Sequence, residues 1–152
     1  LIDGQHPEFS AGDAEYIRKA GALSDIGRID VASGYEPSPR VDLFGAEPAR
    51  GWCYFYQKAQ LERQKRDWAA AAEYGRTALE KEYTPADAME WLAFLQAFAY
   101  TNDPLYEQVK AKILQDVYTS GQACGVFTSY SAEMAGTAYA EAHVRLIQEF
   151  CN

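Results

Sequence analysis

Few side chains in this chain combine the type and the spacing that chemistry needs. The sequence holds two histidines, His6 and His143. Neither stands in an HExxH pattern or at zinc-ligand spacing from a cysteine. Tyr139 and Ile147 flank His143 one helical turn away on either side, which predicts a position at the edge of a core and a structural or solvent role. Cys53 could act as a nucleophile only beside a histidine and an orienting polar group. Between Trp52 and Tyr54 it reads instead as a small buried hydrophobe. Asp87 with Glu90, and Glu80 with Glu82, are carboxylate pairs that could exchange protons, but Asp87 and Glu90 fall in the first turn of a predicted helix, where the dipole favours acids. GxGxxG, P-loop and GxSxG patterns do not occur. No catalytic residue, no metal ligand and no cofactor site is expected, and the domain by itself is not expected to be an enzyme.

The cysteines, Cys53, Cys124 and Cys151, are three in number, so they cannot all pair within one chain. Free thiols are the expectation. A continuous helix from Ser131 to Cys151 would be roughly 30 Å long at about 1.5 Å per residue. The stretch back to Cys124 reaches at most about 25 Å, whereas a disulfide needs Cα atoms within about 7 Å. A Cys124–Cys151 bridge therefore looks strained on that layout, while pairing of Cys53 with either partner stays open, and with it the compartment.

The elements that must position these groups follow from composition and period. The chain has 152 residues, 48% of them hydrophobic, with 11 Tyr, 7 Phe and 3 Trp. That is enough for one domain with a substantial core and too apolar for a disordered segment. No apolar run approaches the ~18 residues of a membrane span. The net charge is −8 and both halves carry an acidic excess, which argues against a nucleic-acid surface. The one basic cluster, Arg63, Lys65 and Arg66, suits a helix C-terminus. Residues 1–9 show neither the basic region nor the apolar core of a signal peptide, and the chain opens on Leu1 without a methionine, so a piece of a longer protein is expected.

Residues 1–50 are expected to form a short helix and an irregular wrap packed on the core. Ser10 and Asp13 resemble a capping box for a helix with Ala14, Ile17, Ala20 and Leu23 on one face. Residues 25–48 carry Gly27, Gly34, Pro37, Pro39, Gly45 and Pro48 among isolated apolar residues such as Ile26, Ile29, Val31, Val41, Leu43 and Phe44. That pattern predicts an ordered but irregular segment, with at most a short strand near Ile29. Residues 51–152 are predicted to be a helical domain. Trp52, Phe55, Ala59 and Glu62 share one face of a first helix. Asp67 is placed to cap a second, which carries Trp68, Ala71, Ala72, Gly75 and Ala78. Thr84-Pro85 predicts the start of a helix with Trp91, Leu92, Leu95 and Phe98 inward, and Asp103-Pro104 the start of another, with a stripe of Leu105, Val109, Ile113 and Val117. Gly121 and Gly125 are expected to break the pattern before a final helix over 131–150. The fold class is all-α, with five to six helices and short connections that favour stacked antiparallel hairpins. The aromatic-rich runs at 52–56 and 91–100 read as core at helical spacing, with a stacking platform for a peptide or sugar as the alternative.

Residues 51–79 resemble one tetratricopeptide repeat. Phe55, Ala59, Trp68, Ala71 and Ala78 match in type, whereas Glu62 stands where an aromatic is usual and Gly75 where a bulky residue is usual. A looser second copy covers 86–114. The resemblance implies a non-catalytic interaction or scaffold module that presents the faces of its first helices as a groove. Its groove positions here would be Tyr56, Gln60 and Arg63, and its partner a protein or peptide, including another region of the parent protein. The segment Trp52-Cys53-Tyr54-Phe55 through Lys58-Ala59 to Asp67-Trp68 is also similar to C-terminal soluble segments of uncharacterised bacterial multi-pass membrane proteins, some of them glycosyltransferase-like. That resemblance implies a membrane region before Leu1. It offers the alternative of an accessory domain that contacts carbohydrate or a lipid-linked substrate. Neither resemblance decides compartment or oligomeric state.

Overall fold

The computed structural model describes residues 14–23, 25, 28, 40–46 and 49–151. Among the described residues every regular element is helical. The first two helices are α1 (Glu15–Ala22) and α2 (Val41–Phe44). Ser10, most of the predicted wrap and the Ile29 region lie outside the described residues. Two expectations change here. The stripe Ala14, Ile17, Ala20, Leu23 does not face a core, for Leu23 is 87% exposed and its three companions are exposed as well. Where irregular chain was expected, Val41–Phe44 closes one helical turn, and none of its residues is buried.

The hairpin forms as its local chemistry dictates. α3 (Trp52–Lys65) ends at Arg66, whose φ of 61° reverses the chain. The amides of Arg66 and Asp67 return to the carbonyls of Arg63 and Glu62, each at 2.9 Å, which satisfies the last orphan acceptors of the helix. Asp67 then caps α4 (Trp68–Glu80) by accepting the Ala70 amide at 2.9 Å. Gly75 lies close against the next helix. A Cβ there would meet Phe98 Cζ at 2.8 Å and Phe94 Cδ1 at 2.9 Å, so the bulk missing from α4 arrives from the facing rings.

The next helix starts later than the Thr84-Pro85 pair predicts. Asp87, not Thr84, supplies the cap, accepting the Met89 amide at 2.9 Å. A 3₁₀ turn (Ala88–Glu90) then leads into α5 (Trp91–Thr101). All residues from Trp91 to Tyr100 are buried, as expected of a helix that is apolar on all sides. The start of α6 (Leu105–Leu114) is the predicted one, with Asp103 accepting the Leu105 amide at 2.9 Å. Its stripe stops at Ile113, because Asp116 caps a new helix by accepting the Tyr118 amide at 3.0 Å and leaves Val117 86% exposed.

Gly121 and Gly125 do not break the chain. Both lie within α7 (Val117–Ser129), and a Cβ on either would meet nothing within 4 Å. The break falls instead inside the predicted final helix. After α8 (Ser131–Met134), Gly136 adopts φ 76°. Thr137 Oγ1 donates to the Met134 carbonyl at 2.8 Å and accepts from the Tyr139 amide at 3.2 Å, which opens α9 (Ala140–Phe150). Glycine enters that φ region without the strain that a Cβ brings.

α5 is the hub of the described domain. It packs against α3, α4, α6 and α9, while α7 packs against α6 and α9. The edge-on ring contacts Trp52–Trp91 at 4.6 Å and Trp68–Tyr100 at 4.6 Å knit the first hairpin to α5. The aromatic-rich runs are mainly core: Trp52, Phe55, Trp91, Phe94 and Phe98 are all buried.

Because α9 is half as long as the predicted helix and follows a reversal, it brings Cys151 back to α7. Cys124 and Cys151 form a disulfide with Cα atoms 5.0 Å apart. This corrects the free-thiol expectation, which rested on an unbroken helix. Cys53 is corrected too: it is exposed, not buried, and is the free cysteine.

Candidate functional site

The three sequence-predicted groove residues lie on α3 one turn apart, and the fold links them. Gln60 Nε2 donates to the Tyr56 hydroxyl at 2.8 Å, and Arg63 Nη1 donates to Gln60 Oε1 at 2.6 Å. Tyr56 and Gln60 are half-buried. Arg63, expected on an open groove face, is only 8% exposed. The region after α7 covers it, with its guanidinium 6.0 Å from the centre of the Tyr130 ring, while its neighbour Arg66 pairs with Glu133 at 2.9 Å.

From Arg63 the row continues into the core. Its Nε and Nη2 both donate to Gln96 Oε1, at 3.1 and 2.6 Å. Gln96 Nε2 donates to the Tyr100 hydroxyl at 3.0 Å. That hydroxyl lies 2.7 Å from His143 Nδ1, and His143 Nε2 lies 2.9 Å from the Phe127 carbonyl. A carbonyl can only accept, so Nε2 carries the proton and Nδ1 takes the Tyr100 hydrogen. From Arg63 to His143 each bond in the row thus runs from a donor to an acceptor, as a buried polar network requires. Burial pushes the Tyr100 hydroxyl up to about 12, so it stays a donor. Burial likewise holds His143 below its ordinary value, so the imidazole is neutral. His143, 2% exposed, sits inside the core and not at its boundary.

Sequence reading missed Gln96 and the role of Tyr100. The signal was present: Gln96 is the lone amide in the otherwise apolar stretch 91–99, and Tyr100 follows it one turn later on the same face.

Tyr100 also lines a cleft of about 630 Å³ between the end of α5 and α9. Ala99, Ala138 and Ala142 contribute small surfaces, and Asn102 and Gln148 contribute side-chain amides. Glu141 and Arg145 bring opposite charges from one side of α9. A second cluster fastens α9 to α6. Tyr106 donates to Glu149 Oε2 at 2.6 Å, Lys110 pairs with Glu149 at 3.0 Å, and Arg145 stands 5.0 Å over the Tyr106 ring.

The Asp87 and Glu90 carboxylates serve structural ends. Asp87 caps a turn and Glu90 accepts the Trp52 indole N–H. Among the described residues no group of three or more His, Cys, Asp or Glu is arranged to hold a metal ion, and no helix is long and apolar enough to cross a membrane. No protein family, no curated protein and no solved structure matches this chain.

Proposed function

We propose that the domain is a non-catalytic protein-interaction module that binds a peptide segment in the cleft between α5 and α9. The hairpins α3–α4 and α5–α6 are read as degenerate tetratricopeptide-like units whose groove side α9 partly covers. The observation that carries the reading is the cleft itself. Its volume, about 630 Å³, falls in the range of ligand sites. Its alanines let a backbone come close, while the Asn102 and Gln148 amides can pair with peptide N–H and C=O groups and Glu141 and Arg145 select charge at the rim. In this reading Tyr56, Gln60 and Arg63 act from behind. Their row holds Gln96 and Tyr100, and so fixes one wall before a ligand arrives, which lowers the ordering cost of binding.

Selection of a displayed random-peptide library on the purified domain tests this. Binding of the enriched peptides is expected to fall at least tenfold on Asn102→Ala and on Arg145→Ala, and less on Tyr56→Ala. Enrichment no better than on an unrelated protein would overturn the proposal. A loss confined to Tyr56→Ala would move the contact surface to the outer side of α3.

A further inference from the structure

The cleft wall supplied by α9 hangs between two kinds of attachment. At its start, α9 leaves α8 through the Gly136 turn. Along its length it is held by non-covalent contacts: His143 to Tyr100 and Phe127, the Tyr106–Glu149–Lys110 cluster, and the Phe127–Phe150 ring pair at 5.5 Å. Just past its last turn, Cys151 is covalently tied to Cys124 of α7. An isolated helix of 11 residues is below the length, about 12 to 15 residues, at which helices persist alone in water. The order of α9 therefore depends on docking. The hairpins α3–α4 and α5–α6 contain neither of the bonded cysteines.

We infer that the Cys124–Cys151 disulfide is a redox clasp on the cleft: closed, it holds α9 as a rigid wall, and opened by a dithiol reductant it lets α9 loosen while the two hairpins keep their structure. Cys151 is exposed and Cys124 half-buried, so a thiolate can reach the bridge. The donor's first thiolate attacks a bridge sulfur and expels the other cysteine as thiolate, giving a mixed disulfide. Its second thiolate then displaces the remaining cysteine. The bridge gains two electrons and, after protonation, leaves two thiols, while the donor is oxidised to its own disulfide. In an oxidising compartment the clasp stays closed, and in a reducing one it opens.

That the cleft matters to function rests on the peptide-binding reading, but the test needs no peptide, so the two can fail separately. Thiols are counted by maleimide mass tagging of the protein purified from an oxidising compartment, before and after dithiothreitol, and amide hydrogen exchange is followed in both states. One tagged thiol, from Cys53, is expected before reduction and three after it. Exchange across Ala140–Phe150 is expected to quicken at least tenfold on reduction, while that of Trp68–Glu80 stays within twofold, and Cys124→Ser/Cys151→Ser reproduces the pattern without reductant. Three tagged thiols before reduction would overturn the inference. So would unchanged exchange in α9, and so would equal loss of protection in α4 and α9 of either reduced protein or double variant, which marks a global staple and not a clasp on one wall.

Discussion

The Tyr100 hydroxyl donates to His143 Nδ1 across 2.7 Å because the other imidazole nitrogen is committed to the Phe127 carbonyl. One backbone acceptor thereby sets the direction of the whole row back to Arg63. Protonating Nδ1 would set two hydrogens against each other at the Tyr100 contact and add a buried charge.

Acid should therefore destabilise the fold. Burial lowers the folded-state value of His143 below the ordinary 6.5. Above about 6.5 both states are neutral there and the group has no effect. As pH falls from about 6.5 towards the lower folded-state value, the unfolded chain takes up the proton first and stability declines. Thermal melts at pH 7.5 and 5.5 should show a larger loss for the wild type than for His143→Gln, and equal losses would refute this origin.

Gln96→Leu takes away the oxygen that receives two Arg63 donors and the amide that reaches Tyr100. Hydrogen bonds to charged groups contribute about 1.5 to 3 kcal/mol each, so urea unfolding should report a loss of about 2 to 4 kcal/mol. Gln96→Glu should cost less, because it keeps an acceptor and adds a charge opposite to that of Arg63.

Gly75→Ala sets helix propensity against packing. Alanine gains about 1 kcal/mol in a helix interior, but its Cβ would lie 2.8 Å from Phe98 Cζ, and overpacking costs about 1 to 3 kcal/mol. Net destabilisation is expected. Adding Phe98→Leu should recover part of it, and non-additivity in a double-mutant cycle is the measurement. A stabilised single variant would show that the rings move aside freely.

Cys124→Ser/Cys151→Ser removes a closure over a sequence separation of 27 residues. Chain-entropy reasoning assigns such a loop about 3.5 kcal/mol. Because the clasp acts on α9, the loss is expected as a separate, earlier unfolding of α9 under non-reducing conditions while the hairpins melt as before, and dithiothreitol should bring the wild type to the variant's profile while leaving the variant unchanged.

Legibility in the sequence tracked the distance over which each decision is made. Asp67 and Asp103 were readable as caps because the bonds they accept come from amides two or three residues ahead. The burial of α5 was readable because nearly every position along it is apolar. Thr84 lost to Asp87 through a competition within one turn, and periodicity does not rank two nearby caps. The start of α9 turned on one glycine, for the apolar spacing across 131–150 is the same whether or not the chain reverses at Gly136.

By itself, the sequence determined the helical character of the described residues, the hairpin with its Arg66-Asp67 turn, and the i, i+4, i+7 alignment of Tyr56, Gln60 and Arg63, all of which follow from short-range capping and side-chain period. Only the tertiary structure decided that Arg63 points to Gln96, that the row ends at His143, and that Cys151 meets Cys124. Each of those joins residues from different helices, and their approach depends on where the Gly136 reversal sends α9 across the face of α5, a direction that no spacing along the chain encodes.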